Sequence, residues 1–281
     1  MGHIIAVVNQ KGGVGKTTTG INLSASLAAA GQRVLLIDLD PQGNATMGSG
    51  IEKQTLAAST YDVLVGGAEV AAVVLPLEQL GYRLLPSNSD LTGAEVALLQ
   101  QEHRESRLKK ALEFVSGQYD FIFIDCPPAL NMLTVNALVA AHSVLIPMQC
   151  EYYALEGLSA LMGTIDKIRL HLNPSLAIEG LLRTMHDPRN NLSEQVSAQL
   201  LAHFGNQVYE TIIPRNVRLA EAPSHGLPAL HYDRTSSGAA AYLALAGEIL
   251  QKHHRADAPK TGAGQRSWRS LLLAWSNKRA S

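Results

Sequence analysis

Cysteine is nearly missing from this 281-residue chain, which has only Cys126 and Cys150. That excludes a disulfide framework as the basis of the fold and suits a reduced, cytoplasmic compartment. Aromatic residues make up just 5% of the chain, and both tryptophans, Trp268 and Trp275, fall near the C-terminus. No apolar run approaches the ~18–20 residues needed to span a bilayer. The opening apolar stretch IIAVV is short and runs straight into glycines, so no secretory signal is expected. Ten histidines are scattered without ligand spacing, and the adjacent His253–His254 pair lacks it as well. They read as structural or surface residues. Large net charge is absent too, the total being −1. That total conceals an asymmetry. Residues 1–250 hold 16 Lys/Arg against 23 Asp/Glu, whereas residues 251–281 hold 7 against one.

What is present is an ordinary globular composition, 46% apolar and 17% charged, with enough material for a sizeable core. Strand-like and helix-like segments alternate, which predicts an α/β protein with a mostly parallel, twisted sheet and helices on both faces. Continuous apolar runs at 4–8, 33–38, 82–87, 119–125, 143–148 and 177–182 suit strands buried on both sides, and 207–213 is a more amphipathic seventh. Helices are expected over 16–30, 90–100, 104–116, 131–141, 154–171, 192–204 and 238–253. Gly31 supplies a stop signal for the first. Residues 1–254 read as one domain. Residues 255–281 read as a flexible basic linker and a short amphipathic tail, with Trp268, Leu271, Leu272 and Trp275 on one helical face.

The chemistry concentrates in NQKGGVGKTT (9–18). A phosphate-binding loop has Gly, four residues, then Gly-Lys-Ser/Thr. Here Gln10 stands where the first glycine belongs, and a second lysine, Lys11, precedes Gly12 and Gly13. A strand, the loop residues Gly12, Gly13, Val14 and Gly15, and a helix starting near Lys16 make a cradle of backbone N–H groups at a helix N-terminus. Lys16 would reach the terminal phosphates, Thr17 would ligate Mg²⁺, and Thr18 lies beside it. VLLIDLDPQGN places Asp38 and Asp40 just past the second strand, and FIFIDCPP ends another strand on Asp125. In an open parallel sheet such strand ends converge on the ligand crevice. Thr17, Asp38 and Asp125 are therefore the expected Mg²⁺ ligands, Asp125 acting directly or through a water.

KGGVGKTT, DLDPQGNAT and IDCPP, continued by RTMHDPRNNLSEQV and IIPRNVRLAEAPSHG, resemble the ParA family of deviant Walker-A ATPases over about residues 3–253. The resemblance implies a P-loop NTPase fold, ATP and Mg²⁺ as ligands, and two protomers sandwiching two ATP molecules. It implies that Lys11 crosses to the partner's nucleotide and that Asp40 positions the attacking water. Pro214, Arg215 and Asn216 match the segment along the adenine. Arg189 and Arg218 match residues that hold DNA phosphates without reading sequence. The implied partner is a ParB-like protein that stimulates hydrolysis, and the implied location is the nucleoid. Because the first strand begins at once, neither a preceding helix-turn-helix nor sequence-specific operator binding is expected.

Two rivals remain open on the residues alone. The tail would suit a MinD-like membrane-associated ATPase, because a short basic segment with Trp and Leu on one face is an interfacial anchor. Core motifs favour the ParA reading over this one. Two cysteines per chain would supply four iron–sulfur ligands in a symmetric dimer. Small buried apolar residues explain Cys126 and Cys150 more simply.

Overall fold

Short apolar runs covered on both faces form the strands. In the computed structural model, which describes residues 2–257 (the last two by backbone alone), these are β1 (His3–Val7), β2 (Val34–Asp38), β3 (Leu75–Leu77), β4 (Tyr82–Leu85), β5 (Phe121–Asp125), β6 (Ser143–Gln149), β7 (Ala177–His186) and β8 (Val208–Pro214). They make one eight-stranded sheet in the order β3-β4-β2-β5-β1-β6-β7-β8. Every pairing is parallel except β3 with β4. Seven of the strands match the runs seen in the sequence. The antiparallel edge strand β3 was not foreseen, because three residues including Pro76 show no period, and proline is tolerated at an edge.

Alternate residues along each strand face opposite layers. Ile4, Ala6, Leu35, Ile37, Ile122 and Ile124 pack one way, under α7 (Met132–Ala140) and α8 (Ala154–His171). Ile5, Val7, Leu36, Phe121 and Phe123 pack the other way, under α1 (Lys16–Ala29) and α12 (Ser237–Asp257). α1 ends as its sequence demands. Gly31 adopts φ +84°, its N–H bonds the Ala28 carbonyl, and the Gln32 N–H reaches back to Leu27.

The remaining helices are α2 (Asn44–Gly48), α3 (Thr60–Leu64), α4 (Val70–Val73), α5 (Ala94–Leu99), α6 (Arg107–Glu113), α9 (Asn191–Phe204), α10 (Val217–Glu221) and α11 (Ala229–Tyr232). The expected helices at 90–100 and 104–116 each begin as a 3₁₀ turn, Ser89–Gly93 and Arg104–Ser106. Helices of four or five residues are too short to display a period, which is why α2, α3, α4, α10 and α11 were unforeseen. α12 continues to Asp257, so its end overlaps the stretch read as linker. The Trp268–Trp275 face lies outside the described residues.

Register brings the acidic strand ends together. Asp38, the last residue of β2, lies beside Asp125, the last of β5, and Val7, the last of β1, pairs with Asp125 on the other side. The loop after β1 opens where the strand order changes direction, the usual position of a ligand crevice in such sheets.

Candidate nucleotide site

The loop between β1 and α1 is held open by glycine and by side chains outside it. Gly13 and Gly15 take φ +75° and +90°, a region in which a β-carbon is strained. Gly12 and Gly13 are exposed, and nothing lies within 4 Å of where a β-carbon would stand. Val14 is buried, and its carbonyl accepts a hydrogen bond from Thr184 Oγ1 at 2.8 Å. Asn9 braces the entry: its Oδ1 accepts from the Lys11 N–H at 2.9 Å while its Nδ2 donates to the Pro147 carbonyl at 2.8 Å. Gly20 lets α1 sit close to the sheet, since a β-carbon there would be 3.3 Å from Leu36.

The two lysines behave differently. Lys16 is buried, and its Nζ donates to the Lys11 carbonyl at 3.2 Å. Burial lowers its pKa, and Asp125 and Asp40 oppose that shift. Lys11 is exposed, and its Nζ forms an ion pair and hydrogen bond with the Glu151 carboxylate just beyond β6.

The three acids divide their tasks. Asp38 is fully buried and already engaged, accepting from Thr46 N and Thr46 Oγ1, both at 2.8 Å, and from Asp40 N at 3.1 Å. Burial pushes its carboxyl up to about 6, against the lowering effect of Thr46. Asp40 accepts from Gln42 N at 2.9 Å, and its carbonyl takes a bond from Ser87 Oγ. Asp125 is fully buried, and neither of its oxygens has a hydrogen-bond partner. The Thr17 hydroxyl is near enough to lower its pKa somewhat but is not in hydrogen-bonding geometry. Burial first, and the Asp38 charge second, raise the Asp125 carboxyl well above its usual range. An orphaned buried carboxylate beside a hydroxyl and two further acids is a donor set that could hold a cation. Asp125 and Thr17 have oxygens to offer Mg²⁺, whereas Asp38 already accepts three hydrogen bonds.

The other expected residues lie at or just after the carboxyl ends of β7 and β8. Pro214 ends β8, and the Arg215 N–H donates to the His186 carbonyl at 3.2 Å. Asn216 caps α10 through Leu219 N at 3.2 Å and donates to Ser237 Oγ at 2.8 Å. Arg215 lines a cavity of ≈ 180 Å³ with Gln149, Glu151, Met185 and Asp187, among others. Arg189 forms a two-pronged ion pair with Asp187, 2.8 and 2.9 Å, and is 87% exposed. Arg218 bridges Glu221 at 2.8 Å and Asp233 at 3.1 Å. Both arginines are thus salt-bridged at the surface. Cys126 and Cys150 are buried and free, as their small apolar character suggests. Sequence reasoning missed Asn9, Thr46, Glu151 and Thr184. None has a role in the phosphate-loop pattern, although Asn9 lies in the loop stretch and Thr46 and Thr184 fall inside the stretches that carry the family resemblance.

A profile of the AAA domain family AAA_31 matches residues 2–178, which include the loop and all three acids. The sporulation initiation inhibitor protein Soj of Bacillus subtilis is 55% identical over 249 residues, covering 89% of this chain and 98% of Soj. The chromosome partitioning protein ParA of Caulobacter vibrioides is 52% identical over 252 residues, covering 89% and 94%. The chain belongs to the ParA/Soj family of chromosome-partitioning ATPases. Its fold agrees with that assignment. A solved structure of cobyrinic acid a,c-diamide synthase from Mycobacterium smegmatis, with bound ATP analogue and magnesium, superposes with TM-score 0.81 at 39% identity. That match covers 90% of this chain and 96% of the other. That enzyme is named for a different chemistry from that of Soj and ParA, so the fold alone does not specify the task. Among the described residues no helix is long and apolar enough to cross a membrane.

Proposed function

We propose that this chain is an ATP-timed partition switch. It binds Mg²⁺–ATP, dimerises around it, grips DNA without sequence preference, and lets go when a ParB-like partner stimulates hydrolysis to ADP and phosphate. The observation that carries the reading is the meeting of Lys16, Thr17 and the unpartnered Asp125 at adjoining strand and helix ends. The N–H groups from Gly12 to Thr18 would cradle the phosphates, and Lys16 would leave the Lys11 carbonyl for them. Thr17 and Asp125 would hold Mg²⁺, which supplies positive charge against the phosphate oxygens. Asp40 would orient the attacking water, and Asp38 would keep the Asp40 backbone in place through the bond to its N–H.

Lys11 supports the dimeric part of the scheme. Its ion pair with Glu151 is exposed, and such pairs contribute only ~0.2–1 kcal/mol. A phosphate on a partner's nucleotide would outcompete it. Arg189 and Arg218 would likewise exchange carboxylates for DNA phosphates, which makes retention strongly salt-dependent.

Co-pelleting with DNA under ATP, ADP and no nucleotide tests the scheme. Lys16→Ala should lose ATP-dependent retention. Asp40→Ala should keep retention and lose turnover, including turnover stimulated by a candidate ParB. Equal loss of retention in both variants would count against the cycle.

A further inference from the structure

At the amino ends of the strands, opposite the end that carries the nucleotide loop, three residues far apart in sequence converge. His3 begins β1, Glu179 lies near the start of β7, and His253 is on the last turns of α12. They offer one ligand atom each, all within 4.8 Å of one another. Glu179 is buried and the two histidines are half-buried. Both imidazoles point Nε2 at the same carboxylate, His3 at 3.3 Å from Oε2 and His253 at 3.3 Å from Oε1. The His253 Nε2 is itself buried without a hydrogen-bond partner.

The spacing is informative. Charge-assisted N–H···O bonds close to ~2.7–2.9 Å, and these contacts do not. Donors held ~2.0–2.1 Å from a tetrahedral zinc stand about 3.3 Å from one another, and each imidazole nitrogen lies that far from its own carboxylate oxygen, with all three donors inside 4.8 Å. Ser143 stands among these groups, its hydroxyl donating to Glu179 Oε2 at 2.7 Å and lying 2.8 Å from His3 Nε2, a contact that the nitrogen gives up when it binds an ion. Tyr209 OH donates to Oε1 at 3.3 Å. One group opposes a cation: the Lys252 ammonium is 3.3 Å from Oε1. It also donates to the Glu179 backbone carbonyl, a bond that its half-exposed side chain exchanges for water when a divalent ion takes its place.

We propose that His3, Glu179 and His253 form a binding site for one zinc-like divalent transition metal ion, with Lys252 as the counter-charge in the metal-free state. The donor set of two imidazoles and one carboxylate suits Zn²⁺ far better than Mg²⁺ or Ca²⁺. The ion would staple the first strand to the end of the last described helix. Its place at the amino edge makes the site independent of the nucleotide reading.

The test is a Zn²⁺ titration of chelator-stripped full-length chain against a chromophoric competitor. One tight equivalent per chain is expected, at least tenfold weaker in His3→Gln and His253→Gln. Lys252→Met should bind several-fold tighter, because the competing cation is gone. An ionic latch without metal function would show no such gain. Zn²⁺ should raise the Tm of the parent and of Asp125→Asn, and leave that of His253→Gln unmoved. Circular dichroism establishes that the half-exposed histidine variants are folded. Stoichiometry and affinity unchanged by both histidine substitutions would overturn the proposal, as would a Tm shift lost only in Asp125→Asn.

Discussion

Lys11 has two suitors: in the isolated chain it pairs with its own Glu151, and in the proposed dimer it turns to a partner's phosphate. Removing the first competitor should favour the second. In an Asp40→Ala background, which holds the ATP state, Glu151→Gln should dimerise at several-fold lower protein concentration by sedimentation velocity. A dimer that needs more protein than the parent would mean that Glu151 serves the interface itself. The surface arginines allow a parallel argument. Arg218→Ala should weaken DNA retention about tenfold and lower the salt slope by about one. Arg189→Ala should do likewise, because the Asp187 that holds it offers no phosphate contact of its own. A change in DNA sequence preference in either variant would contradict backbone-only contact.

Elements here are fastened by groups distant in sequence. Asn173, beyond the end of α8, donates through Nδ2 to the carbonyls of Leu138 at 2.9 Å and Ala141 at 2.8 Å, closing the end of α7. Asn173→Ala leaves buried carbonyls unpaired and should cost about 1–3 kcal/mol in urea unfolding. Gly238, on the first turn of α12, has a different role. A β-carbon there would stand 2.5 Å from Leu219 of α10. Gly238→Ala should therefore push α10 away, costing about 1–3 kcal/mol and disturbing Arg218 with it. Neither fastening was readable beforehand, since Asn173 looks like an ordinary loop residue and Gly238 like a helix-start glycine. The buried strands and the glycine loop were legible because apolar runs and fixed spacing report directly on burial and phosphate geometry. Glu151, Thr184 and the His3–Glu179–His253 group were not, because only strand order brings such residues together.

For the whole molecule, the charge asymmetry separates an acidic body from a basic end. In the proposed cycle the timing chemistry belongs to the body. Removal of residues 258–281 should leave ATP hydrolysis and ATP-dependent DNA co-pelleting within about twofold of the parent. The same truncation, compared by co-sedimentation with anionic liposomes, shows whether the basic tail adds a membrane contact. Loss of DNA retention on truncation would move the grip from Arg189 and Arg218 to the tail.

The pairing of Asp38 with Asp125 has one more consequence. Side chains along a strand alternate, so a slip of a single residue would turn one carboxylate to the opposite layer. In the proposed scheme, copies that have mispaired β2 and β5 would lose the juxtaposition of Asp38 and Asp125 and would not enter the ATP state. The sheet would then act as a proofreader for the switch: a badly folded molecule would be silent, not stuck in the on position.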